Sequence, residues 1–159
     1  MSEPLQALQA LVRGELARWT GLADGSTRAV VEGALGGTAV AEGPILLFGT
    51  GATLCRYPAV PAAPSGVVVW YVDGAAALVE IPEPALPEPV EAQLGPPEAK
   101  VPSLLGSIRT QLVYAGRGLV VHASNLTDLP YRIYGFRACP VEEFLAGPLR
   151  SVRSVRIPR

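Results

Sequence analysis

The hexapeptide Val31-Glu32-Gly33-Ala34-Leu35-Gly36 returns 59 residues later as Val90-Glu91-Ala92-Gln93-Leu94-Gly95. Two copies of one short segment, each closed by glycine, imply a chain of two similar units. Each copy should repeat the same order of elements and bury its apolar face partly against the other. On this reading residues 1–159 form a single domain, with a first unit at 1–85 and a second at 86–159. The acidic, proline-broken stretch 82–89 is the seam between them.

The order of elements follows from periodicity. Leu5, Leu8, Val12, Leu16 and Trp19 recur at helical steps and predict one amphipathic helix closing at Gly21. Ser26 then suits the cap of a second helix with Val30, Ala34 and Leu35 inward and Gly36 as its stop. Residues 45–48 and 52–57 read as strands around Gly49-Thr50-Gly51, and residues 67–72 and 75–81 as strands around Asp73-Gly74. Asp-Gly supplies the positive φ angles of a two-residue hairpin turn. The proline-rich residues 58–64 cannot join a central strand.

The second half repeats helix then hairpin. The repeated hexapeptide has Pro89 at its entry and Gly95 at its exit, and strands follow at 109–114 and 119–123 around Gly116-Arg117-Gly118. A further strand is expected at 131–136, and a last helical turn at 140–145 with Cys139 at its cap. Helices ahead of hairpins, with no strand-helix-strand alternation, predict an α+β fold: an antiparallel sheet with short helices packed mainly on one face. Doubly wound nucleotide folds are thereby disfavoured.

Composition narrows the class. A chain that is 49% hydrophobic and 17% charged can bury a real core, yet no apolar run approaches the roughly 20 residues that cross a bilayer. The start Met1-Ser2-Glu3-Pro4 is acidic where a signal peptide is basic, so a cytoplasmic protein without a membrane partner is expected. Charge is unevenly divided. Residues 1–100 carry five basic and eleven acidic side chains, residues 101–159 eight and three, which suits two halves that attract each other or a basic binding surface.

Chemistry-bearing residues are few. His122 lies on one face of a strand and has no partner nearby in sequence, so a histidine zinc site is not expected. Cys139 at a helix start would have a lowered pKa, although Glu142 and Glu143 oppose a thiolate there. Cys55 and Cys139 show neither metal-ligand nor redox spacing. Gly49-x-Gly51 and Gly116-x-Gly118 lie between strands and lack the following helix that would hold phosphate. No catalytic residue, cofactor or metal is expected.

Arginines 150, 153, 156 and 159 suggest a phosphate-binding tail, but ten aromatic residues without basic interleaving argue against nucleic acid. The aromatic residues carry a different expectation. Trp70, Tyr71, Tyr114, Tyr131 and Tyr134 fall in strands, where neighbours point to opposite faces, so a sheet covered on one side would expose some of these rings. With Arg153 and Arg156 they form the expected partner-binding set, since hot spots favour Trp, Tyr and Arg.

The tandem order of helix and hairpin, with Leu35-Gly36 and Leu94-Gly95-Pro96 closing the short helices, resembles the β-lactamase inhibitory protein and the small lipoprotein of the outer-membrane β-barrel assembly machinery. That resemblance implies a binding protein whose sheet grips another protein. The chain is expected to depart from it in having no secretion signal and no lipid-attachment cysteine, and its two cysteines are not a close pair, so only architecture is carried over. The expected function is a non-enzymatic protein-binding module of the immunity or inhibitor type. Alternatives are a small enzyme or ligand-binding protein with a pocket between the halves using Cys139 or His122, and nucleic-acid binding by the arginine tail. The exposed sheet edges also fit a homodimer.

Overall fold

The computed structural model describes residues 3–86, 88–103 and 108–152. Among them, eight strands form one antiparallel sheet: β1 (Ala41–Leu47), β2 (Thr50–Tyr57), β3 (Val67–Val72), β4 (Ala75–Pro82), β5 (Ala99–Pro102), β6 (Arg109–Tyr114), β7 (Leu119–Ser124) and β8 (Pro130–Gly135). The spatial order is β1-β2-β3-β4-β8-β7-β6-β5. Two four-stranded meanders therefore meet through their last strands, with Glu80 opposite Tyr134 and Ile81 opposite Ile133. Helices α1 (Glu3–Val12) and α2 (Arg28–Leu35) precede the first meander and α3 (Val90–Leu94) the second; α4 (Val141–Ala146) follows it. The α+β class and the antiparallel sheet expected from the sequence are present.

Local chemistry sets the boundaries. The expected long first helix is shorter, because Gly14 adopts φ +77° after Val12, and the chain restarts as a single 3-10 turn at Leu16–Arg18. Leu8, Leu11, Val12, Leu16 and Trp19 are nevertheless all buried. The cap of α2 is Thr27 rather than Ser26: its hydroxyl accepts from the Val30 amide at 3.3 Å, while Ser26 donates to the Ala23 carbonyl. Thr27→Ala is expected to cost about 1 kcal/mol, read as a small fall in the urea midpoint at unchanged slope.

The first hairpin turns on Phe48 and Gly49, both at positive φ, instead of the glycine-rich triplet. A two-residue turn makes Leu47 and Thr50 a hydrogen-bonded pair, and alternation repeats this at Ile45 with Ala52 and Gly43 with Leu54. Pro44 thus faces its ring nitrogen to the open edge, which is why a proline sits inside β1. The opposite edge, β5, was not expected; it too carries a proline, Pro102, and a charge, Lys100. Both edges are blunted against casual pairing.

The sheet is covered on both sides, mainly by helices on one. One core joins α1, α2 and Val90 of α3 to Cys55, Tyr57, Val69, Tyr71, Val79 and Val121. The other joins Phe144 of α4 and Val152 to Leu54, Trp70, Leu78, Val113, Val120, Tyr134 and Phe136. No described helix is long and apolar enough to cross a membrane.

Candidate functional site

The first residue of α2, the edge strand β1 and the inner strands β2 and β3 meet in one chain of hydrogen bonds. Arg28 gives its two terminal nitrogens to Glu42 of β1 at 3.1 and 2.9 Å. Its Nε reaches Glu32, one helical turn on, at 3.0 Å, the i,i+4 spacing that puts two side chains on one helix face. The Tyr57 hydroxyl donates to Glu32 at 2.9 Å and lies 2.6 Å from the Tyr71 hydroxyl. A phenol has one hydrogen to give, so Tyr71 donates to Tyr57. The relay runs from Tyr71 through Tyr57 to Glu32, which Arg28 ties to Glu42.

Protonation states follow from this wiring. Burial, then the Tyr71 hydrogen bond, raise the Tyr57 phenol above its ordinary range, and burial pushes Tyr71 up to about 12. The Glu42 and Glu32 bonds strengthen the hold of Arg28 on its proton, and Arg28 in turn holds the Glu42 carboxyl below its usual value. Burial raises the Cys55 thiol behind them. At neutral pH both phenols are neutral and the guanidinium is charged, each fixed by a partner.

Beside this relay the sheet surface opens into a concavity of about 660 Å³, lined by Arg28, Pro44, Leu46, Thr53, Tyr71 and Asp73. Leu46 is 70% exposed at its margin, and Val40 and Phe48, at the two ends of β1, are 59% and 47% exposed. These three stand among five exposed large apolar side chains in the described residues. The arrangement pairs an aliphatic floor with a preset polar rim. It can bury an apolar side chain while losing little conformational freedom of its own.

The expected aromatic face is corrected by the packing. Trp70 and Tyr134 are buried because α4 and its neighbours form a second layer, with Phe136 and Phe144 stacked at 5.4 Å, while Tyr114 is buried on the opposite face and donates to the Gly95 carbonyl after α3. Tyr71 is buried too, yet it lines the concavity. Tyr131 is half-buried with the Arg109 guanidinium 3.5 Å from its ring centre. Arg153 and Arg156 lie outside the described residues.

The two alternative reactive residues do not behave as the sequence suggested. Pro140, not Cys139, is the α4 cap, and burial together with Glu143 and Glu98 raises the thiol instead of lowering it. Cys139 lines an apolar groove of about 440 Å³ with Phe48, Phe136 and Phe144. His122 is buried beside Ser103, with its Nδ1 2.7 Å from the Ser103 hydroxyl. Burial, then Arg132 and Arg109, lower its pKa to about 4, which makes it a poor base at neutral pH. The described residues hold no cluster of three or more metal-ligating side chains.

Sequence reasoning missed Arg28, Glu32, Glu42 and Tyr57. The Arg28-Glu32 spacing was the one signal available for them. Comparison with protein families, curated proteins and solved structures finds no match for this chain.

Proposed function

We propose that the chain is a non-enzymatic protein-binding module of the inhibitor or immunity kind, built from two similar helix-and-meander units. Its binding surface is the concavity along β1. The observation that carries this reading is the exposed Leu46 beside the prewired Arg28-Tyr71 rim. A ring and a guanidinium already immobilised lose little entropy on association, and an exposed leucine gains by burial. The relay satisfies its own charges, which suits a rim for recognition and leaves no spare base for chemistry.

Affinity capture of the tagged chain from its own host at low salt tests this, comparing wild type with Leu46→Asp and with Leu126→Asp at another exposed site. The expected result is one stoichiometric protein retained by wild type and Leu126→Asp. Leu46→Asp should weaken its binding by at least tenfold, about the 1.4 kcal/mol of one well-buried side chain. Recovery of wild type alone, or equal capture by Leu46→Asp, overturns the reading.

A further inference from the structure

Of the five buried polar or charged residues among those described, Ser103, Gln111 and His122 gather on the α4 side of the second meander, with Glu80 of the adjoining strand β4 beside them. The register explains the gathering. His122 lies opposite Gln111 on one flank and Arg132 on the other, and Glu80 lies opposite Tyr134 one row away. Residues directly opposite in an antiparallel pair share a face. A β-bulge at Tyr131 interrupts β8 beside this row, since Ala123 pairs with Pro130 while His122 pairs with Arg132.

The cluster ties peripheral chain to the sheet. Ser103, directly after β5, is held twice: its amide donates to the Arg109 carbonyl at 3.1 Å and its hydroxyl meets His122. Gln111 donates to the Arg150 carbonyl at 2.8 Å and so fixes the segment after α4. We propose that Ser103 and His122 form an acid-released latch, which holds the edge strand β5 on the sheet and lets it go when His122 takes up a proton.

The physical argument rests on charge. The hydrogen bond survives protonation, because Nδ1 can donate to the hydroxyl as well as accept from it. An imidazolium at this position, however, is buried and faces the Arg132 guanidinium of β8 and the Arg109 guanidinium of β6. Tyr134 meets the ring edge-on at 5.8 Å and stays neutral; Glu80 of β4 lies beyond it and acts on that phenol. From the segment after α4 comes the Arg150 carbonyl, bonded to Gln111. Hydrating the imidazolium requires the cover over it to lift. The least costly element to lift is β5, four residues long and paired on one side only. Its release uncovers the backbone of β6, a new sheet edge for a partner strand.

Hydrogen exchange by NMR tests the latch. Protection factors corrected for intrinsic rate are compared between pH 7 and pH 4.5 for the β5 and Ser103 amides and for amides of β2 and β3. Protection at β5 and Ser103 should lie below that at β2 and β3 at pH 7, as an opening short of global unfolding requires, and should fall at least roughly tenfold by pH 4.5. His122→Asn, which keeps a bond to Ser103 but cannot be charged, should abolish the fall. Arg109→Gln, which removes one of the two cations and spares the histidine, should reduce it. Protection at β5 equal to that at β2 and β3 at pH 7, no loss at β5, or a loss that persists in His122→Asn overturns the proposal.

Discussion

Trp19→Ala is expected to cost about 4 kcal/mol at pH 7 and to lower Tm by roughly 10 °C. Trp19 is fully buried although it belongs to no regular helix or strand, and its position joins the two halves. Its indole N–H donates to the Gly118 carbonyl at 3.0 Å, across to the turn before β7. The next residues follow it over: the Leu22 amide donates to the Phe136 carbonyl, and Arg117 reaches back to the Ala17 carbonyl. Glycines make room for this crossing. A Cβ on Gly135 would stand 2.9 Å from the Trp19 ring, and one on Gly118 would stand 2.1 Å from the Phe136 oxygen. A site so closely fitted relaxes poorly around a cavity, which places the cost toward the upper part of the range for aromatic truncation. Trp19→Phe keeps most of the volume and loses the hydrogen bond, so it should cost less than half as much. Urea unfolding of the three proteins decides the matter; a loss below about 1 kcal/mol for Trp19→Ala would show that the segment is not what fastens the halves.

The parts of this fold that could be read from sequence are those fixed by neighbouring residues. Asp73 and Gly74 alone specify their turn, and both adopt the positive φ angles that a two-residue hairpin needs. Gly36 likewise ends α2 in the left-handed region. Strand β5 escaped notice because four residues bounded by prolines 96, 97 and 102 leave no alternation to count. Spacing alone overextends the first helix, because Leu16 and Trp19 continue its period while Gly14 breaks its backbone. The candidate site was half-legible at best: Arg28 and Glu32 announce themselves at i,i+4, but only strand register brings Glu42, Tyr57 and Tyr71 to them. The aromatic residues lie in strands as their sequence implies, yet four of the five are buried, since alternation tells which face a ring takes and not whether a second layer covers that face.

Acid titration of global stability should show a loss of about 3 kcal/mol between pH 6.5 and pH 4 that depends on one side chain. The pKa of His122 is near 6.5 when unfolded and about 4 in the fold, lowered first by burial and then by Arg132 and Arg109. Within this window the unfolded chain binds the proton and the folded chain does not, so stability rises with pH. It is complete above pH 6.5 and falls as the pH drops toward 4, by about 1.4 kcal/mol for each pH unit. Glu42 contributes in a lower window, because Arg28 depresses its carboxyl and its contribution begins to fade only below its ordinary value of 4.5. The two effects therefore separate on the pH axis. Urea denaturation at half-unit steps should give a slope between pH 6.5 and pH 4.5 in wild type and a nearly flat line in His122→Asn. Release of β5 sets a ceiling on that loss, since a chain whose latch has opened no longer excludes the proton from His122. A decline that levels off above pH 4 then measures the free energy of opening β5, and a slope unchanged in His122→Asn would assign the acid sensitivity to carboxylates elsewhere.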